Sequence, residues 1–324
     1  MEPAVLALLK KNSAHFVSGE EISRRVRISR AAVWKQVRRL RAQGYLIESL
    51  PHRGYCLQAV PDCLLPEEIS WKLPTASFGQ SIVSFEKISS TNTAAYTLAE
   101  QGLPEGTLVV AERQTAGRGR LGRAWASPPG GIYASLIIRP DIGPELSPFL
   151  TLLTACAVTQ AVRGYSGIRV DIKWPNDIYY QTSKIGGILT EMNAEMDCVH
   201  FVIIGFGLNV NSSAAGLPAG AGSLSDIAGK KINRVGLLQE ILVHLESLYG
   251  EFRQERHTSI LGRWREYSCT LGRRVRVAAH HEVIEGVAED IDAAGALCVR
   301  EANGKRRRVL SGDVELVREP DQPS

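Results

Sequence analysis

The chain's most restrictive feature is a crowd of β-type segments with too few helices between them. Ile82 to Phe85, Thr107 to Val110, Ile132 to Ile138, Arg169 to Ile172, Ile188 to Thr190 and Val202 to Ile204 are rich in β-branched residues and read as strands. Helical periodicity occupies about 91–101, 146–164 and 235–253. A doubly wound parallel sheet needs a crossover helix after nearly every strand. The pattern therefore predicts an α+β fold, with a mixed, largely antiparallel central sheet and helices packed on it.

Two different modules flank this region. Residues 1–60 carry eleven Lys/Arg against four Asp/Glu, a net of +7, whereas the whole 324-residue chain sums to +4. The basic excess thus belongs to one small head and suggests a polyanionic partner. Val5, Leu6, Leu8 and Leu9 form the apolar side of a first helix. Ser18 and Glu21 make a capping box for a second, and Ser29 caps a third that carries Val33, Val37 and Leu40 and stops at Gly44. Two short strands, Tyr45 to Ile47 and Tyr55 to Leu57, follow around a turn containing Arg53. This order predicts a winged helix-turn-helix. Ser29, Arg30, Lys35, Arg38 and Arg53 are its candidate DNA contacts, with a protein-binding basic face as the alternative. Beyond residue 268, five short alternating segments within about fifty residues predict a small SH3-like barrel. The expected domains are 1–62, 66–268 and 269–324, with prolines at 61 and 66 marking the first boundary.

The six cysteines form no CxxC pair, which argues against a zinc or disulfide framework and fits reduced thiols in the cytoplasm. No run of eighteen apolar residues is present, and Lys10 and Lys11 follow the first apolar stretch instead of preceding it. Neither a membrane span nor a secretory signal is expected.

Chemistry concentrates in four clusters. Ser90-Thr91-Asn92 lies between a strand and a helix and by itself is a helix cap. Gln114 precedes Gly117 to Arg123, where three arginines alternate with three glycines before Trp125. Glycine admits close backbone approach and guanidinium groups grip carboxylates or phosphates, so the segment reads as a flexible anion clamp. An exposed RGG-like turn is the competing description. Lys173 to Asp177 offers Asn176 and Asp177 as hard oxygen donors of the kind Mg2+ takes, and Lys184 stands just before a glycine-bearing strand. Gly205 to Asn211 reads as a strand end, and the Gly/Ala/Ser-rich stretch 212–223 as a mobile lid.

Taken together, the motifs STN, GRGRLGRAW, KWPND, KIGGILTE and GFGLNVN resemble biotin–protein ligases over nearly the whole chain. With the winged head they resemble the bifunctional biotin operon repressors. The resemblance implies a class II synthetase-like core that condenses biotin with ATP and Mg2+ to biotinyl-5′-AMP. It then implies transfer of biotin to a lysine of a biotin carboxyl carrier protein, with no covalent enzyme intermediate. The adenylate is also the implied corepressor of a homodimer on double-stranded operator DNA.

Carried over position by position, Ser90, Thr91, Asn92, Gln114, Gly117, Arg118, Arg120, Trp125 and Lys184 are implied to bind biotin. Arg120, Arg123, Asn176, Asp177, Lys184 and Asn209 are implied to bind ATP, with Asp177 on the metal and Lys184 and Arg120 as catalytic groups. Arg318 is a candidate helper in the tail. Leu121 departs from relatives that are basic there, and residues 212–223 lack the aromatic that some members stack on adenine. Two other functions share the motifs: a ligand-sensing regulator that has lost ligation, and a lipoate or octanoate ligase on the same core.

Overall fold

The computed structural model describes residues 4–195, 198–279 and 282–317, and the chain divides into two compact units, Met1–Trp71 and Lys72–Ser324.

In the first unit, α1 (Ala4–Lys11), α2 (Gly19–Val26) and α3 (Arg30–Ala42) precede an antiparallel ribbon of β1 (Leu46–Leu50) and β2 (Gly54–Ala59). The Ser18 and Ser29 hydroxyls accept the N–H groups of Glu21 and Ala32, which satisfies donors that a helix start leaves free. Leu6, Leu9, Ile22, Val33, Val37, Leu40 and Ile47 form one buried core. The unit extends past the prolines, because the short α4 (Pro66–Ile69) packs with the head. Buried Glu68 of α4 pairs with Lys10 at 3.0 Å and accepts a hydrogen bond from the Tyr45 hydroxyl.

The second unit is built on a seven-stranded sheet in the order β3-β4-β5-β9-β8-β7-β6. These strands are β3 (Ser81–Ile88), β4 (Thr107–Gln114), β5 (Ile132–Ile138), β6 (Asp171–Lys173), β7 (Asp177–Tyr180), β8 (Ser183–Ala194) and β9 (Val199–Leu208). Only β3 and β4 are parallel, joined through α5 (Thr91–Glu100), so the mixed and largely antiparallel expectation holds. Among the described residues, α6 (Ser147–Ser166) is the one helix long and apolar enough to cross a membrane. It is instead a core helix, mostly buried against β8, α8 (Arg234–Arg253) and α9 (His257–Tyr267). The short α7 (Leu224–Ala228) precedes α8.

The C-terminal part is a five-stranded antiparallel sheet, β13-β12-β11-β10-β14, consistent with a small barrel-like domain. Its strands are β10 (Arg274–Ala279), β11 (Glu282–Ile291), β12 (Leu297–Arg300), β13 (Arg306–Val309) and β14 (Asp313–Leu316). All five coincide with the alternating segments of the sequence, because period-2 patterning survives where one sheet face is buried.

Candidate active site

Three rows of side chains cross β5, β9 and β8 on one face of the large sheet: Tyr133–Gly207–Gly187, Ser135–Gly205–Leu189 and Ile137–Ile203–Glu191. Glycines occupy the first two rows because other elements press directly onto the backbone there. A Cβ on Gly205 would lie 1.9 Å from Asn92 Oδ1, and one on Gly207 would lie 2.4 Å from Trp125 Nε1. The GFG segment lies at the end of β9, as its glycines suggested, and the strand stops at Leu208. Two missing side chains let α5 and the Trp125 indole settle on the sheet.

Around this floor lies an open cleft. The STN segment supplies one end. Ser90 caps α5, and Gln114 Oε1 accepts from the Thr91 N–H at 2.8 Å and the Thr91 hydroxyl at 3.2 Å. Ser135 Oγ lies 2.6 Å from Asn92 Oδ1 and 2.8 Å from Thr91 Oγ1. These groups, buried except for half-buried Gln114, form a polar pocket whose hydrogen-bond directions are held by one another.

The arginine–glycine segment, read from the sequence as a flexible loop, is a turn closed by its own backbone hydrogen bonds. Trp125 N donates to Gly117 O at 2.8 Å and Gly119 N to Arg123 O at 2.8 Å, and positive φ at Leu121 and Gly122 closes the tip. Each arginine has a different acceptor. Arg118 pairs with Glu191 at 2.7 Å, and Arg120 reaches Asn176 Oδ1 at 3.3 Å and Gly312 O at 3.4 Å. Arg123 makes a two-pronged pair with Asp313. Burial lowers the pKa of the Arg120 guanidinium, and the nearby carboxylates of Asp313 and Asp177 oppose that shift.

Lys184 lies inside β8 and not before it, because Asp177–Tyr180 forms a strand that the sequence reading missed and Gln181 turns it back with φ of 52°. The hairpin aims Lys184 Nζ at Asp177 Oδ1, 2.6 Å away, and 5.5 Å from the centre of the Trp125 ring. Asn176 is buried and anchored by its Nδ2 donating to Ile188 O at 2.7 Å. Burial and the Asp177 charge push the Tyr179 hydroxyl up to about 12.

Ser90, Thr91, Asn92, Gln114, Arg118, Arg120, Arg123, Trp125, Asn176, Asp177 and Lys184 all line the cleft. Gly117 and Asn209 do not line it. Gly117 carries the backbone contact to Trp125, and a Cβ there would lie 2.4 Å from the Trp125 carbonyl oxygen. Asn209 is buried with its Nδ2 on Gly222 O at 3.1 Å. The expected mobile lid is also tied down at its far end, since Lys184 N donates to Gly220 O and Gly222 N to Lys184 O. Arg318 falls outside the described residues. Sequence reading missed Ser135, Glu191 and Asp313. Asp313 comes from the C-terminal sheet and carries no local signal, whereas Glu191 closes a motif already noticed.

In the first unit, Arg30, Lys35, Arg38 and Arg53 are exposed, while the Ser29 hydroxyl is used as a helix cap. Trp34 stands between Arg30 and Arg38 on α3, 55% exposed, with the Arg38 guanidinium 5.5 Å from its ring.

Arg118, Arg123 and Lys184 in the cleft are thus paired with carboxylates and Arg120 with neutral oxygens, around a polar pocket at one end and the Lys184–Asp177 pair at the other. Such a site suits a long anionic ligand with a small polar head. Residues 84–209 match the biotin/lipoate A/B protein ligase family, residues 270–317 the biotin protein ligase C terminal domain, and residues 3–56 an HTH domain. The chain is similar to biotin protein ligase from Aquifex aeolicus in complex with biotin and ATP, at 29% identity and a TM-score of 0.65. That alignment covers 74% of this chain and all of the other. It is also 42% identical to the bifunctional ligase/repressor BirA of Bacillus spizizenii, over 96% of this chain and 97% of the relative. Identity to the Escherichia coli protein of the same name is 31%, over 96% of each. The chain belongs to the biotin–protein ligase family, on its bifunctional ligase/repressor branch.

Proposed function

We propose that the chain is an ATP-dependent biotin–protein ligase that forms biotinyl-5′-AMP, biotinylates a lysine of a biotin carboxyl carrier protein, and represses transcription in response to biotin. One observation carries the reading: five separated motifs meet at one cleft, with a neutral polar pocket at one end and Lys184 with the arginine turn at the other.

The Thr91, Gln114 and Ser135 groups suit an uncharged ring rich in N–H and C=O, and Trp125 covers the apolar chain beyond it. Lys184 sits where a carboxylate and an α-phosphate would meet. Its ammonium neutralises charge as the carboxylate oxygen attacks phosphorus and pyrophosphate leaves. Arg120 and Arg123 are suited to the phosphate oxygens. In the second step the carrier lysine amine attacks the anhydride carbonyl, giving an amide, AMP and a proton. Asn209 would act at the adenine end by holding the 220–222 segment.

A Mg2+ ion fits the donor set modestly. No cluster of three metal-binding side chains exists among the described residues, so Asp177 and Asn176 would share the ion with nucleotide phosphates. When bound, the ion supplies charge neutralisation on those phosphates.

Arg30, Lys35, Arg38 and Arg53 are the DNA contacts of this reading, with Ser29 shaping the start of the helix. The adenylate acts as corepressor by promoting a homodimer that engages a palindromic site. The free cysteines suit a reducing cytoplasm. No observation favours a sensor without ligation or a lipoate ligase.

The decisive assay is transfer of labelled biotin to a carrier domain with ATP and Mg2+, for wild type and Lys184→Ala. Absence of adenylate in the wild type, or full activity in the variant, refutes the assignment. A mobility shift with and without biotinyl-5′-AMP tests the repressor half, and a shift indifferent to the adenylate removes it.

A further inference from the structure

The third row on the sheet face ends in Glu191, to which the proposed mechanism gives no role. Its Oε1 lies 2.7 Å from Arg118 Nη2, and its Oε2 accepts from Asn92 Nδ2 at 2.9 Å. One carboxylate therefore joins the arginine–glycine turn to the start of α5, two elements that reach the cleft from different parts of the chain. Asn92 is buried and leads directly into the polar pocket through its contact with Ser135.

We propose that Glu191 is a positioning residue for the acid substrate, holding Arg118 and Asn92 in one register so that turn and helix close on the ligand together. The inference rests on the biotin ligase reading. The bland description, a surface ion pair, accounts for only half of the geometry. The Arg118 side chain is 52% exposed, so that pair alone contributes little. The Glu191 side chain is only 23% exposed, and it spends its second oxygen on a buried amide.

The same geometry separates a positioning role from a folding role. Without Glu191, Asn92 Nδ2 still donates to Leu189 O at 3.2 Å and its Oδ1 still faces Ser135. No buried donor is orphaned, so the fold should tolerate the loss. What is lost is the fixed direction of the Arg118 fork and the orientation of the amide beside the pocket. Both act on the acid before any chemistry, so the effect belongs in KM for biotin and not in kcat.

The test uses the full chain and measures pyrophosphate release with varied biotin at saturating ATP and Mg2+, for wild type, Glu191→Ala, Glu191→Gln, Arg118→Ala and the double variant. Glu191→Ala should raise the biotin KM about tenfold, the equivalent of one charge-assisted hydrogen bond, with the ATP KM and the melting temperature nearly unchanged. Glu191→Gln keeps an acceptor for Asn92 and should fall between wild type and Glu191→Ala. Arg118→Ala should add little on top of Glu191→Ala, because the two act as a unit. A biotin KM within twofold of wild type in Glu191→Ala, while Arg118→Ala raises it, overturns the proposal. So does a lowered melting temperature with kcat and KM both impaired. A wild type that makes no adenylate would instead overturn the ligase reading itself.

Discussion

Adding one methyl group at Gly207 tests the account of the cleft most directly. Gly207 stands near the end of β9, paired with both β5 and β8, and its missing side chain is the seat of the Trp125 indole. In Gly207→Ala the new Cβ would lie 2.4 Å from Trp125 Nε1 and 2.6 Å from Cε2, where ordinary contact begins near 3.4 Å. The indole must therefore retreat by about 1 Å, since a strand bonded on both sides yields less than a turn. Overpacking of this kind costs ~1–3 kcal/mol. Taking ~2 kcal/mol, the biotin KM should rise roughly thirtyfold. The matching control is Gly187→Ala, across the ladder and under the same indole, where the new Cβ would lie 3.3 Å from Trp125 Cζ3 and only a few tenths of an ångström must give. Its biotin KM should change less than about fivefold. Steady-state adenylation with varied biotin, paired with thermal melts, measures both. Equal KM values for the two variants would refute the idea that the indole's seat on Gly207 shapes the site.

Other consequences follow from particular contacts. Lys184→Ala should reduce adenylation by roughly 10²–10³-fold, as for other preorganised charge-stabilising groups, with little effect on thermal stability; single-turnover kinetics would show it. Glu246 accepts from the N–H groups of Ala76, Ser77 and Phe78. Burial works to raise its carboxyl pKa, but these backbone donors outweigh that and hold it below the usual range. Because the folded value is depressed, Glu246→Gln should lower stability at pH 7. The deficit should shrink as pH falls through the carboxylate range, measured by denaturant titrations between pH 7 and pH 4. Arg38→Ala should weaken DNA binding and reduce the salt slope by about 1, whereas Trp34→Ala should weaken it with the slope unchanged. At pH 8 exposed Cys198 should be alkylated first. Buried Cys156 should react only on unfolding, and Cys269, which burial pushes up to about 11, should be slow.

Much of this molecule was legible along the chain because its signals are local. Helix caps at Ser18 and Ser29, period-2 strands in the tail and the apolar run Ile132–Ile138 need only near neighbours to be read. The family motifs likewise named most of the cleft, since each is a short segment whose residue types carry its chemistry. Errors arose where a local pattern was too short or too ambiguous. The four-residue β7 gave no periodicity, so Lys184 was placed before a strand instead of within a hairpin. Glycines at 205 and 207 were legible as a strand end, but nothing nearby in the chain shows what lies on top of them.

Sequence by itself determined the classes of element, the basic head and the five motifs, all consequences of side-chain type and spacing. Tertiary structure alone decided which groups meet. It set Trp125 over Gly207, gave Arg123 a partner in Asp313 from the C-terminal sheet, and joined Arg118 to Asn92 through Glu191. Those contacts depend on strand register and on chain segments up to 190 residues apart. No local rule of propensity or spacing encodes either.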